Sequence, residues 1–382
     1  MNLAFVSRVL GTIVLLIAAS MLLALPWAWP AWSGTPTFET RGFVALLISV
    51  AVSAVLGLLL RFLGRGSKSE ELFRKEALAI VGLSWILATL LGAMPYLVGR
   101  VMLSATQPMG FWDAIFESSS GFTGAGATVI TQLERPELVP KCILFWRSMT
   151  HFMGGLGIMV LFVAVLGQGS AGKLLMRTEM PGPSKETDQQ RVQHAAWVFA
   201  GIYLGMNAVL TVILYLEGMS MFDALCHAFG TVATGGFSTY DTSIAHFKSV
   251  TIEMTIAVFM VLACVNFTLL YYVILLKPKR LGTDSEFQTY IAILFGITAL
   301  VIIFGLKAGD FDGFGDAFRY SFFQVASIMT NTGFGTHDFN TWNEFGRGVL
   351  FLTMFVGGCA GSTSCSIKII RHMLLFKILW QE

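Results

Sequence analysis

Three short stretches carry residue types with which a backbone, rather than a side chain, can do chemistry. They are Thr123-Gly124-Ala125-Gly126, Ala233-Thr234-Gly235-Gly236 and Thr330-Asn331-Thr332-Gly333. Small residues and glycine open dihedrals closed to bulkier residues, so the chain can turn its carbonyl oxygens toward an axis. Such carbonyls replace the water shell of a bare cation. A ring of them with no fixed negative charge suits a large, weakly hydrated monovalent ion such as K⁺. Mg²⁺ and Ca²⁺ favour carboxylates instead.

The three stretches are copies of one pattern, in which an apolar span precedes a short semi-polar helix, a glycine-rich turn and a second span. The copies read FWDAIFESSSGFTGAGATV, MFDALCHAFGTVATGGFSTYD and RYSFFQVASIMTNTGFGTHDF. Aligned on Gly126, Gly236 and Gly333, they place Asp113 and Asp223 each 13 residues before the glycine. The third copy has Tyr320 and Ser321 there, with Asp316 and Ala317 one helical turn earlier. The stretches Phe111 to Ser120, Phe222 to Thr231 and Tyr320 to Met329 are too short to cross a bilayer and read as half-spans that enter and leave on one side. Irregular backbone at membrane depth must be buried in protein or face a polar path, because an unsatisfied carbonyl in lipid costs several kcal/mol.

Composition demands a membrane. Of 382 residues, 55% are hydrophobic and 13% charged, about half the charge of a soluble domain. Apolar stretches long enough for a hydrocarbon core of about 30 Å lie near 9–29, 43–63, 77–98, 142–166, 193–216, 250–276, 287–306 and 347–378. The first is expected to be an anchor rather than a cleaved signal, since it runs into the interfacial cluster Trp27, Trp29 and Trp32. With the N-terminus inside, the inner segments hold 16 of the 25 bases and only 9 of the 23 acids, so the positive-inside rule is obeyed. Both termini are then cytoplasmic, and the acid-rich outer face attracts cations. A net charge of +2 leaves no nucleic-acid footprint.

A second glycine cluster interrupts the last span. Gly357, Gly358, Gly361 and the run Ser362-Thr363-Ser364 free backbone groups in an otherwise apolar helix and read as a hinge or gate beneath the turns. Close helix packing by small residues is the plainer alternative. Arg147 is expected to be a snorkelling base, Asn266 an interhelical hydrogen bonder, and the five cysteines packing residues. His227 and His337 flank turns without partners at ligand spacing, and no metal site is expected.

At these residues the sequence resembles the membrane subunit of the Trk/Ktr/HKT superfamily of potassium transporters, in its bacterial Trk branch. SGFTGAGATV looks like the family's first filter, FGTVATGGFSTYD its second and TNTGFGT its third; GGCAGSTSCSIKIIR resembles the break in the inner helix of the third repeat, and EMPGP at 179–183 the cytoplasmic linker. The resemblance implies an all-α polytopic fold of M1-P-M2 units, each a helix, a re-entrant pore loop and a helix, around a central pore. Two extra N-terminal helices occupy 1–75, and the repeats occupy 76–178, 179–284 and 285–382. It implies K⁺ uptake across the bacterial cytoplasmic membrane, passive or ion-coupled. The filter would comprise Thr123, Gly124, Ala125, Gly126, Ala233, Thr234, Gly235, Gly236, Asn331, Thr332 and Gly333, with Gly126 matching the potassium-selective members. It also implies a homodimer and a cytosolic nucleotide-binding regulatory subunit, for which the loop Gly167 to Val192 is a docking candidate, with a plain solvated linker as the equal alternative.

Two departures carry expectations. Gly124 and Ala125 stand where relatives usually have consecutive threonines, which predicts a softer first turn and looser selectivity. The family has four repeats and these residues hold three, so a truncated form is expected in preference to a fourth quarter from another polypeptide or a longer intact gene product, with a fragment inactive on its own as the alternative to transport. Outside this resemblance, discontinuous helices also suit a secondary transporter of a small organic solute. An enzyme would need paired carboxylates or a histidine cluster at depth, which are not apparent.

Overall fold

The computed structural model describes residues 2–65, 74–157 and 189–381. The linker motif at 179–183, the end of the span expected at 142–166 and all of the loop from Gly167 except its last residues lie outside them. The described chain is helical, with only two isolated bridges of extended backbone. It divides into two compact units, Met1–Ala200 and Gly201–Glu382.

The first unit contains α1 (Leu3–Leu22), α2 (Thr40–Leu63), α3 (Arg74–Val98), the short α4 (Phe111–Thr123) and α5 (Lys141–Leu156). The apolar runs that predicted spans form α1, α2 and α3, and α1 packs along α2. A Cβ on Gly11 would stand 2.6 Å from the Gly57 carbonyl, the close approach that small residues allow between membrane helices. Glu39, just before α2, accepts from the Lys141 and Cys142 N–H groups at 2.8 and 3.1 Å and so caps the start of α5.

The helix α6 (Gln189–Leu216) leads into the second unit, which holds α7 (Met221–Val232), α8 (Val250–Ala263), α9 (Phe267–Ile274), α10 (Ser285–Ala308), α11 (Phe314–Met329), α12 (Glu344–Thr353) and α13 (Ile369–Gln381). Caps set several boundaries. Asp284 accepts from Phe287 N–H at 2.8 Å to open α10, which Gly309 closes in the left-handed conformation.

Among the described residues, five helices are long and apolar enough to cross a membrane: Leu3–Ala28, Thr40–Leu63, Lys75–Val98, Ala196–Leu216 and Ser285–Ala308. Two expected spans differ from expectation. The run 250–276 is a bent pair, α8 and α9, meeting at 108°. Among the described residues the Asn266 side-chain amide bonds no neighbouring helix; its oxygen caps α9 instead, accepting from Thr268 N–H at 2.8 Å. The run 347–378 is two helices separated by residues 354–368, a longer interruption than its glycines alone indicated.

The three short helices fall where the repeat predicts, and the third explains its own drift. α11 has 16 residues against 13 in α4 and 12 in α7. The extra turn moves Asp316 farther from its glycine yet keeps it in the first helical turn, where Asp113 and Asp223 also lie. A carboxylate there complements the positive end of the helix dipole.

Candidate functional site: three glycine turns and a broken helix

Each short helix ends in a turn of one build. Gly124 and Gly126 have φ of 69° and 71°, Thr234 and Gly236 54° and 77°, Asn331 and Gly333 60° and 84°. Left-handed residues therefore alternate with an ordinary residue at Ala125, Gly235 and Thr332. Alternation of the two hands rotates successive peptides so that neighbouring carbonyls are not forced to opposite sides, as they are in a strand. Thr234 holds the conformation although β-branched residues rarely do. In the first turn Gly124 takes the same position without that strain, so the softer sequence keeps the same backbone path.

The amide groups of the turns are used internally. Ala125 N–H donates to the Ser120 carbonyl at 3.0 Å, Gly235 and Gly236 both donate to Gly230 at 2.9 and 3.2 Å, and Thr332 and Gly333 both donate to Ser327 at 2.9 and 3.2 Å. The acceptor is in each case six residues before the reference glycine. None of the described backbone hydrogen bonds ends on the carbonyls of Gly124, Ala125, Gly126, Thr234, Gly235, Gly236, Asn331, Thr332 or Gly333. Oxygens without an internal partner are the groups such a turn can offer to a cation.

Within the second unit the second and third turns touch. A Cβ on Gly236 would collide with the Thr332 carbonyl oxygen. The second turn also meets the broken helix: the Thr234 hydroxyl lies 2.7 Å from the Ala233 carbonyl and 3.1 Å from that of Thr363.

The glycine-rich break is a structured loop stitched into the bend between α8 and α9. Cys359 N–H donates to Cys264 O at 2.9 Å, Phe267 N–H to Gly361 O at 3.1 Å, and the Thr363 hydroxyl to Ala263 O at 3.0 Å. These bonds satisfy backbone groups that the break in each helix exposes, which is why two interrupted helices occur together. Glu286 accepts from the Ala360 and Ile370 amides at 2.7 and 3.1 Å. Gly361 has φ +72°, and a Cβ there would meet the Asn266 amide group at 3.4–3.5 Å.

Sequence reasoning missed Lys368, Glu117 and Gln324 and misread Arg147. Lys368, 8% exposed, turns its ammonium onto the hydroxyl and carbonyl of Ser362 at 3.3 and 3.5 Å and onto the carbonyl and hydroxyl of Ser364. Position alone assigned it to the cytoplasmic bases. Arg147 does not snorkel: it is 1% exposed and donates to Glu117, itself fully buried, at 2.6 Å. A polar residue nine before each glycine would have pointed to Glu117, and the same offset gives Gln324.

The fold and these turns define a multi-pass membrane protein with re-entrant, glycine-bent segments. The sequence model of the TrkH family, described as cation transport protein, matches residues 44–308 and 312–382. The TrkH potassium uptake protein of Halomonas elongata is 34% identical over 387 residues, covering 99% of this chain and 75% of the relative. That of Escherichia coli K12 is 35% identical, with the same coverage. The crystal structure of the potassium transporter TrkH from Vibrio parahaemolyticus superposes with a TM-score of 0.84 at 32% identity, over 98% of this chain and 75% of that one. The chain belongs to the TrkH family of cation transport proteins.

Proposed function

We infer that this chain transports K⁺ into the cell as the membrane subunit of a Trk-type uptake system. The observation that carries the reading is the recurring pair of left-handed residues, 124 and 126, 234 and 236, 331 and 333, on turns whose amides are bonded inward. Thr123 to Gly126, Ala233 to Gly236 and Asn331 to Gly333 each supply backbone oxygens to a selectivity filter. K⁺ is then bound without a fixed counter-charge, and release stays fast. Three turns of one build, and relatives named as potassium uptake proteins, favour this over an organic solute carrier.

The layout that accompanies it is a two-helix segment at 1–75 followed by repeats at 76–178, 179–284 and 285–382, in the bacterial cytoplasmic membrane. The basic segments, residue 2 and residue 381 all lie on the cytoplasmic side, consistent with the distribution of Lys and Arg. A homodimer and a cytosolic nucleotide-binding subunit complete the system.

The test is K⁺-limited growth and ⁸⁶Rb⁺ uptake in a bacterial strain lacking its own K⁺ uptake, complemented with the gene product that carries this chain. Uptake saturating with K⁺ is expected. Growth that stays independent of the plasmid would contradict the reading.

The loop Gly357, Gly358, Gly361, Ser362, Thr363, Ser364 acts as the gate, and its stitched form is the closed one. A side chain at Gly361 must adopt a left-handed backbone at a cost of about 1–2 kcal/mol, which disfavours that form. Gly361→Ala is therefore expected to raise the maximal uptake rate several-fold with the KM for K⁺ unchanged. Kinetics identical to the parent would count against gating by this loop.

A further inference from the structure

Glu117, His227 and Gln324 have little chemistry in common, yet each stands nine residues before the reference glycine of its repeat. Their exposures are 0%, 0% and 2%. Each reaches past the turn to the stretch that follows it. Glu117 Oε1 accepts from the Thr128 hydroxyl at 2.8 Å and its Oε2 from Val129 N–H at 3.1 Å. His227 Nε2 meets the Ser238 hydroxyl at 2.9 Å, and the Gln324 amide donates to the His337 carbonyl at 2.9 Å. In the second repeat the ring is oriented by its other nitrogen. Nδ1 lies 2.8 Å from the Asp223 carbonyl, which only accepts, so Nδ1 carries the proton and Nε2 accepts from Ser238 when the ring is neutral. Ser238 Oγ in turn accepts from Tyr240 N–H at 3.1 Å.

Each turn is thus held at two points. Ahead of its carbonyls, the amides bond to the helix carbonyl six residues before the glycine; beyond them, this buried side chain holds the chain two to four residues after it. Carbonyls on a segment anchored only at one end can close around a smaller ion, whereas a segment anchored at both ends resists. We propose that Glu117, His227 and Gln324 are positioning residues for the filter, acting through the exit side of each turn to set discrimination between K⁺ and Na⁺. The role rests on the filter reading above and deepens it. Residue type differs because the partner differs: two donors beyond the turn together with the Arg147 guanidinium for the carboxylate, a hydroxyl for the imidazole, a carbonyl for the amide. What the three repeats share is the position and the reach.

The test compares His227→Leu, His227→Gln and Ser238→Ala in the gene product that carries this chain. ⁸⁶Rb⁺ uptake is measured for its KM toward K⁺ and for inhibition by Na⁺, with membrane-inserted protein quantified. His227→Leu and Ser238→Ala are expected to raise the KM about fivefold or more, the worth of one hydrogen bond, with K⁺ preference over Na⁺ falling in step. His227→Gln, the side chain the third repeat uses, is expected to restore both to within about twofold of the parent. Ser238→Ala removes only a hydroxyl and reads the same contact where leucine impairs folding. Loss of maximal rate in proportion to protein amount, with KM and ion preference unchanged, would overturn the positioning role while leaving K⁺ transport intact. A parent protein whose uptake ignores K⁺ would overturn the filter itself.

Discussion

Gly236→Ser is expected to lower K⁺ uptake at limiting K⁺ by about a hundredfold, ~2.7 kcal/mol of lost binding or transport free energy. Two costs act at one atom. The residue has φ +77°, where an L side chain is strained by about 1–2 kcal/mol. Its Cβ would also collide with the Thr332 carbonyl oxygen, a backbone atom that cannot rotate aside as a side chain would. The third turn must move, and with it carbonyls assigned to the ion. Gly296→Ala is the control: it lies within α10, and a Cβ there meets nothing within 4 Å. Uptake by Gly236→Ser within threefold of the parent, at equal protein amount, would contradict the placement of these turns at the ion path.

Arg147→Met is expected to cost about 3–5 kcal/mol of stability, because it strands the Glu117 carboxylate in a site closed to solvent. The pair is 1% and 0% exposed at 2.6 Å, so little solvent screening reduces the loss. Folded, monodisperse protein recovered in detergent should fall sharply. The double variant Glu117→Gln with Arg147→Met should recover at least half of that loss. The charge is then gone, while the amide oxygen can still accept from Thr128 or Val129. A double-mutant cycle gives the coupling directly. Additive losses would show that the two side chains do not depend on each other.

These effects mark how far the sequence could be read. The glycine turns were legible because a left-handed backbone restricts residue type, and the repeats display that restriction three times. The apolar spans were legible for the same reason, since lipid admits few side chains. The bend between α8 and α9 was not legible: Cys264, Val265 and Asn266 carry no breaker, and the bend is held by a loop some hundred residues away in sequence. Arg147 was misread as a surface base because its partner, thirty residues earlier, is visible only once α4 and α5 pack. The position nine before each glycine was hidden differently, since Glu, His and Gln share no obvious type and only the repeat register unites them. The third repeat's acid looked displaced until α11 proved one turn longer.

Backbone oxygens are expected to hold the ion, and one measurement reads that directly. Crystals of the gene product that carries this chain, grown with Tl⁺ or Rb⁺ in place of K⁺, should give anomalous difference density within coordination distance of the Gly235, Gly236, Thr332 and Gly333 carbonyls. Density confined to carboxylates or hydroxyls elsewhere, with none beside those four oxygens, would contradict it.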